Sequence, residues 1–207
     1  MARAFLRDGD RIVAVLDETE RAVLSGLMEQ TRLLLAPEVE PTGDAWADLV
    51  ASMGGTLDVG HDDRLQGHDD VREPGRDPAL DRLLPAGHRG DDAVASEFRR
   101  LTEEGLRQRK SGNLDVALSR LAAADDDQVD LDLAQATAFV MALTDVRLLL
   151  GERLGIRTEE DAESLYASLA QLDDDDPAAY AVAWYDFLTW LQETLTSALM
   201  GEPGSTV

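Results

Sequence analysis

The sequence predicts a mainly α fold: a single-domain helical bundle over residues 1–207 with an N-terminal β-hairpin. Three observations predict it. Apolar residues recur at helical spacing in successive segments, residues suited to capping helices stand just before those segments, and one turn signal near the start sits between two β-compatible runs.

The elements follow in chain order. In "AFLRDGDRIVAVL" the pair Asp8-Gly9 predicts a hairpin over 3–16 with a two-residue type I′ turn. A hairpin alone is marginal, so one of its faces is expected to lie on the helical core. Asp17 and Glu20 form a capping-box pattern, and Val23, Leu24, Leu27, Met28, Thr31, Leu34 and Leu35 then predict a helix over 17–36, stopped by Pro37. A short helix is expected at 44–52 and a flexible acidic loop over 54–76, where Gly and Asp are frequent and apolar residues few. "DPALDRLLPAG" (77–87) reads as a capped turn of helix ended by Pro85.

A longer helix is expected over 91–123, broken or kinked by "SGN" at 111–113. Asp132 is placed to cap a helix over 132–154, and Thr158 with Asp161 to cap another over 159–171. Asp176-Pro177 gives a cap and first-turn proline to a last helix over 177–200, which Gly201 ends. On that helix Tyr180, Trp184, Phe187, Leu188, Leu191 and Leu195 are expected to share one face.

Composition bounds function. There is no Cys, which excludes disulfides, thiolate metal sites and a cysteine nucleophile. The first residues lack an uninterrupted apolar core, so no secretory signal is expected, and no continuous apolar run approaches the length of a membrane span. A cytoplasmic protein is expected. The net charge is −23, and residues 125–207 hold 3 basic and 18 acidic groups. Such a field repels phosphate backbones and anionic membranes, so neither nucleic acid nor membrane is expected as a partner. Of the 19 basic residues, Lys110 is the only lysine.

The most informative stretch is "ALTDVRLLLGERLGI" (142–156), where Asp145, Arg147 and Arg153 interrupt a helix apolar nearly all round. Such a helix is the buried centre of a bundle. Asp145 and Arg147, two positions apart, do not share a face, so each needs a partner from elsewhere. Arg99, Arg100 and Arg109 are the expected donors for Asp145. Glu97, Asp186 and Glu193 are the candidate acids for Arg147. The plainer reading is an ion-pair network that fixes packing; the alternative is a polar pocket for a small anion. Asp145, Arg147, Arg153, Arg99 and Arg100 are thus the candidate buried polar or interaction residues.

Other patterns carry less. "GHDD" at 60–63 and 67–70, with His61, His68 and His88, has metal-binding residue types but no rigid spacing, so no metal or cofactor is expected. "DDD" (125–127) and "DDDD" (173–176) lack the Gly and Glu of a calcium loop and read as helix caps on a solvated surface. The net-positive stretch 98–121 superficially resembles a helix-turn-helix.

"ALTDVRLLLGERLGI" and "AWYDFLTWLQETL" (183–195) resemble the signature of an actinobacterial family, domain of unknown function 2017. "FLRDGDRIVAVLDETERAVL", "DPALDRLLP" (77–85) and "SEFRRLTEEGLR" (96–107) fit the same pattern. Asn is usual where this chain has Thr144, and Trp where it has Phe187. The resemblance implies genes beside the adaptor that hands N-degron substrates to the Clp protease, and near a sulfur-carrier pathway. The expectation is a non-enzymatic helical protein that binds another protein, as a regulator or adaptor linked to Clp-type proteolysis. A small-ligand or metal-dependent enzyme using the central polar residues, and a transcriptional regulator, are the alternatives.

Overall fold

The computed structural model describes residues 2–36, 77–85, 92–169 and 177–201, without the side chains of 92–101. The expected helix at 44–52, the 54–76 loop, all three histidines and the "DDDD" run lie outside the described residues. Strands β1 (Arg3–Asp8) and β2 (Arg11–Val15) pair antiparallel, with Asp8 opposite Arg11. The loop is therefore Gly9-Asp10, one residue later than expected. Only Gly9 of the two has positive φ (62°), which matches a type II′ turn rather than the I′ turn expected at Asp8-Gly9.

A third strand, absent from the sequence reading, completes the sheet. β3 (Gln128–Leu131) pairs antiparallel with β2, Ile12 facing Leu131 and Val15 facing Gln128, in the order β1-β2-β3. The run 125–127 is not a helix cap. Asp126 (φ 46°) and Asp127 (φ 66°) are the centre of a tight turn closed by Asp125 and Gln128, whose backbones bond reciprocally at 2.8 and 3.2 Å. Positive φ at both central positions is the I′ pattern, and Asp tolerates it better than most residues. Asp127 is tied down as well: its carbonyl accepts from the Leu16 amide at 2.9 Å and its carboxylate from Arg21 at 2.5 Å.

Six helices lie among the described residues: α1 (Glu18–Leu35), α2 (Pro78–Leu83), α3 (Asp92–Ala122), α4 (Leu133–Arg153), α5 (Glu159–Leu169) and α6 (Pro177–Met200). Their starts show why the chain enters helix where it does. The Glu20 amide donates to Asp17 Oδ1 at 3.0 Å and the Asp17 amide to Glu20 Oε2 at 2.8 Å, a reciprocal capping box. Asp132 and Gln135 repeat it for α4, and Thr158 and Asp161 for α5. Asp77 caps α2 by accepting from the Ala79 amide at 2.8 Å.

No break occurs at "SGN": α3 is continuous through 111–113. One interior glycine costs only about 1 kcal/mol. Leu114, Ala117 and Leu121, immediately beyond it, are buried to 3% exposure or less, and Leu burial alone contributes roughly 1.5–3 kcal/mol per residue. A continuous helix also leaves no turn for a helix-turn-helix within 98–121.

α4 is the axis of the core. It touches α1, α2, α3 and α6, and Ala136, Phe139, Ala142, Leu143 and Val146 are fully buried along it. Its mean hydropathy reaches 1.5 over an 18-residue window, so by length and composition it would pass for a membrane span even though no continuous apolar run does. Those residues pack instead against the other helices and against the sheet, whose inward face supplies Phe5, Ile12, Ala14, Val129 and Leu131. Phe5 meets Phe139 edge to face at 5.7 Å. α6 lies beside β1, and the Phe5 amide donates to Thr194 Oγ1 at 3.3 Å.

Candidate interaction site

The charges of the central helix are each answered from within the chain. Asp145 is 2% exposed and forms an ion pair with Lys110 of α3. Among the described residues the cation that meets Asp145 is thus Lys110 and not Arg109. Arg109 is exposed; Arg99 and Arg100 lie on α3 among the residues whose side chains are not described. Burial pushes the Asp145 carboxyl above the ordinary aspartate range, and the Lys110 ammonium pulls in the opposite direction.

Arg147 is half-buried between α4 and α6, and no carboxylate meets it among the described residues. Asp186 and Glu193 are exposed, and Asp186 accepts instead from the Tyr166 hydroxyl at 2.5 Å. Arg147 donates from Nη1 to Gln192 Oε1 at 2.8 Å, and Gln192 Nε2 donates to Thr144 Oγ1 at 2.8 Å. The guanidinium carbon lies 5.3 Å from the centre of the Tyr185 ring, a cation–π stack. Its Nε is buried without an acceptor among the described residues. Four residues on, the Tyr185 ring lies against the backbone of Gly151, where a Cβ would stand 3.5 Å from it, an ordinary van der Waals distance.

Two further groups were not legible from spacing. Glu152, 8% exposed, receives Arg82 Nε at 3.0 Å and Arg157 Nη2 at 2.6 Å, one on each carboxylate oxygen. Arg82 also donates to the Ile156 carbonyl at 3.2 Å. Arg153 is exposed and pairs with Asp77 at 2.5 Å, tying the cap of α2 to the end of α4. The one advance signal was Lys110, the single lysine of the chain, which meets the most deeply buried acid among the described residues.

α6 inverts this arrangement. Its core line is Val182, Leu188, Leu191, Leu195 and Ala198. Of the aromatic residues expected to share a face with Leu188, Leu191 and Leu195, Tyr180 is 59% exposed, Trp184 is partly buried and Phe187 packs against the core; Trp190, outside that expectation, is 37% exposed. The four rings form a connected series, with centroids 6.1 Å apart from Tyr180 to Trp184, 5.1 Å to Phe187 and 5.8 Å to Trp190. Asp186, Trp190 and Glu193 are spaced four and three apart, so the exposed indole has one carboxylate a turn before it and one a turn after it on the same face.

Elsewhere, an open cavity of about 380 Å³ beside the 125–127 turn is lined by Arg11, Arg120, Asp125, Asp126, Gln128 and Asp130, among others. Arg11 already pairs with Asp130 at 2.8 Å there. Among the described residues no group of three acidic or histidine side chains is arranged to hold a metal ion.

The two blocks 142–156 and 183–195 therefore face one another: Thr144, Arg147 and Gly151 on α4 meet Tyr185 and Gln192 on α6. The family model of a domain of unknown function (DUF2017) matches residues 2–199. The chain belongs to this family. No curated protein and no solved structure matches it significantly. Thr144 serves as the acceptor for Gln192 across the seam between α4 and α6.

Proposed function

We propose that this chain is a non-enzymatic, cytoplasmic protein-binding module that acts as a regulator or adaptor linked to Clp-type proteolysis. The observation that carries the binding reading is the pair of exposed rings on α6, Tyr180 and Trp190, connected through the partly buried Trp184 and Phe187. Aromatic side chains in a connected, partly solvated row supply large contact area at low entropic cost and are typical anchors of protein interfaces. Thr144 and Arg147 of α4 support the same reading from the other side, because they are engaged with Gln192 and Tyr185 in holding α6 in place rather than converging on a cleft. The link to proteolysis rests on the gene neighbourhood that the family resemblance implies.

The test is direct binding of the purified chain to a Clp unfoldase and to its N-degron adaptor, each with a Tyr180→Ala, Trp190→Ala variant alongside. Saturable binding to either, weakened at least tenfold in the variant, is the expected result. Absence of binding to both removes the proteolysis link. Binding that the double variant leaves intact removes α6 as the contact face.

A further inference from the structure

We propose that the outer face of α6 recognises a basic segment of its protein partner, with an Arg or Lys side chain placed on the Trp190 ring between Asp186 and Glu193. The inference rests on the protein-binding reading and gives it a chemistry. Three observations carry it. First, Trp190 is exposed, and its ring is flanked a turn away on both sides by exposed carboxylates. An indole face attracts a cation, and a flanking carboxylate adds a charge-assisted hydrogen bond to the same group.

Second, neither carboxylate is neutralised from within. Asp186 meets only a neutral phenol, and neither it nor Glu193 has a basic partner among the described residues. Asp130, Asp127 and Glu29, by contrast, each carry an arginine partner, namely Arg11, Arg21 and Arg32. Third, the chain from Thr158 to Val207 contains 11 acidic residues and no Lys, Arg or His. A partner surface that covers α6 thus meets a field of one sign, and complementary charge favours a basic one. A second copy of this chain, itself at −23, would bring the wrong sign.

The experiment uses the full chain carrying a photo-crosslinking benzoylphenylalanine at position 180, with an equimolar mixture of three synthetic peptides. The peptides share one apolar pattern and differ only in having Arg, Gln or Glu at the remaining positions. The expected result is preferential capture of the Arg peptide. Capture should fall about tenfold in Trp190→Ala and severalfold in Asp186→Asn, Glu193→Gln. That charge variant keeps hydrogen-bonding groups at both positions, so its fold is checked simply by an unchanged thermal melt. Asp125→Asn, Asp126→Asn, on a different acidic surface, should leave capture unchanged.

Equal capture of all three peptides overturns the basic-segment proposal while leaving α6 as a protein-binding face. Arg-peptide capture that falls as much in the 125/126 variant as in the α6 variants also overturns it, since diffuse charge then explains the binding. Crosslinking of the chain to itself in preference to the peptides overturns it in favour of self-association. No crosslink of any kind removes both the basic segment and the α6 face.

Discussion

Helices α4 and α6 lie against each other and break the usual polarity rule in opposite directions. α4 turns charges inward: Asp145 and Glu152 are 2% and 8% exposed. α6 turns rings outward: Tyr180 and Trp190 are 59% and 37% exposed. On α4 both buried carboxylates are closed by partners from the same chain, namely Lys110 on Asp145 and Arg82 with Arg157 on Glu152, and Arg147 Nε alone is left buried without an acceptor among the described residues. On α6 the violation stays open. An inverted residue that finds its complement inside the fold is architecture; one left without a complement marks where the fold expects something else. Helix α4 is therefore where substitutions should act on stability, and α6 where they should act on binding.

The sharpest break of that contrast is Lys110→Met. It leaves Asp145 buried without a cation, and the expected loss is about 3–5 kcal/mol at neutral pH. The loss should depend on pH in a definite sense. Burial raises the Asp145 carboxyl above its ordinary range, so the fold favours the protonated form. Stability from that group is complete below the ordinary aspartate pKa and is lost as pH rises through the raised value. Removing Lys110 withdraws the opposing effect, so the variant should recover part of its deficit on acidification. Urea unfolding at neutral and mildly acid pH measures this. Adding Asp145→Leu should restore more stability than the single changes predict. A Lys110→Met chain within about 1 kcal/mol of the parent would mean that the ion pair does not support α4.

Glu152 gives the second test. Each arginine occupies one of its carboxylate oxygens, and both arginine side chains are at least a third exposed or close to it, at 32% for Arg82 and 42% for Arg157. Removing one leaves the other in place, and each Ala variant should cost about 1 kcal/mol. Removing both strands a carboxylate that is 5% exposed, and the pair should cost about 3 kcal/mol, more than the sum. Denaturant midpoints of the two single variants and the double variant decide it. Simple additivity would show that Glu152 finds water when its partners go.

These two sites also show how far the sequence carries. The helices and their starts were legible because each has a local cause: Asp17 with Glu20, Asp132 with Gln135 and Thr158 with Asp161 form boxes within four residues. β3 was not, because "QVDL" is four residues long inside an acidic run, and its reason to be a strand is Ile12 and Ala14 across the sheet. "SGN" misled for the same reason in reverse, since burial of Leu114 and Ala117 outweighed a local breaker. That Asp145 would be buried was readable from the helix's apolar surroundings. Its partner was not, because the choice between Lys110 and Arg109 depends on one hundred degrees of helix rotation that no pattern within α3 reports. The sequence reading puts Tyr180, Trp184 and Phe187 on one face with Leu188, Leu191 and Leu195 and does not single out Trp190, whereas the exposed rings are Tyr180 and Trp190. Both faces of the helix are apolar, and periodicity alone cannot say which one the bundle covers.

Arg147 ties the two helices together and should have a moderate effect. An arginine paired with a buried acid would lose about 3–5 kcal/mol on replacement. Here the partners are the Gln192 amide and the Tyr185 ring, and the unpartnered Nε is itself a cost. Arg147→Met removes that cost but gives up one hydrogen bond and the cation–π contact to Tyr185, so the net change should be about 1 kcal/mol. Thermal melts of the variant measure it. A loss of several kcal/mol would show that a carboxylate reaches Arg147 in solution, and α6 would then be anchored by charge as α4 is.

The smallest expected effect lies on the open side. α5 has no fully buried residue, and its hydrogen bond to α6 runs from the Tyr166 hydroxyl to Asp186. That bond raises the Tyr166 hydroxyl to about 12, with burial and the charge of Asp186 acting in the same direction. The fold thus favours the neutral phenol. The contribution of the bond is complete below the ordinary tyrosine pKa and is lost as pH rises through about 12. Tyr166 is 43% exposed, so solvent screens most of this, and Tyr166→Phe should cost less than about 1 kcal/mol. A spectrophotometric tyrosine titration should show one of the three tyrosines ionising late in the parent chain, and that late step should vanish in the variant. With Tyr166 gone, Asp186 keeps its charge and loses a neutral neighbour, so capture of the Arg peptide on α6 should stay equal or rise. If it falls instead, α5 is part of the binding face, and the open side of the molecule is a two-helix surface rather than α6 alone.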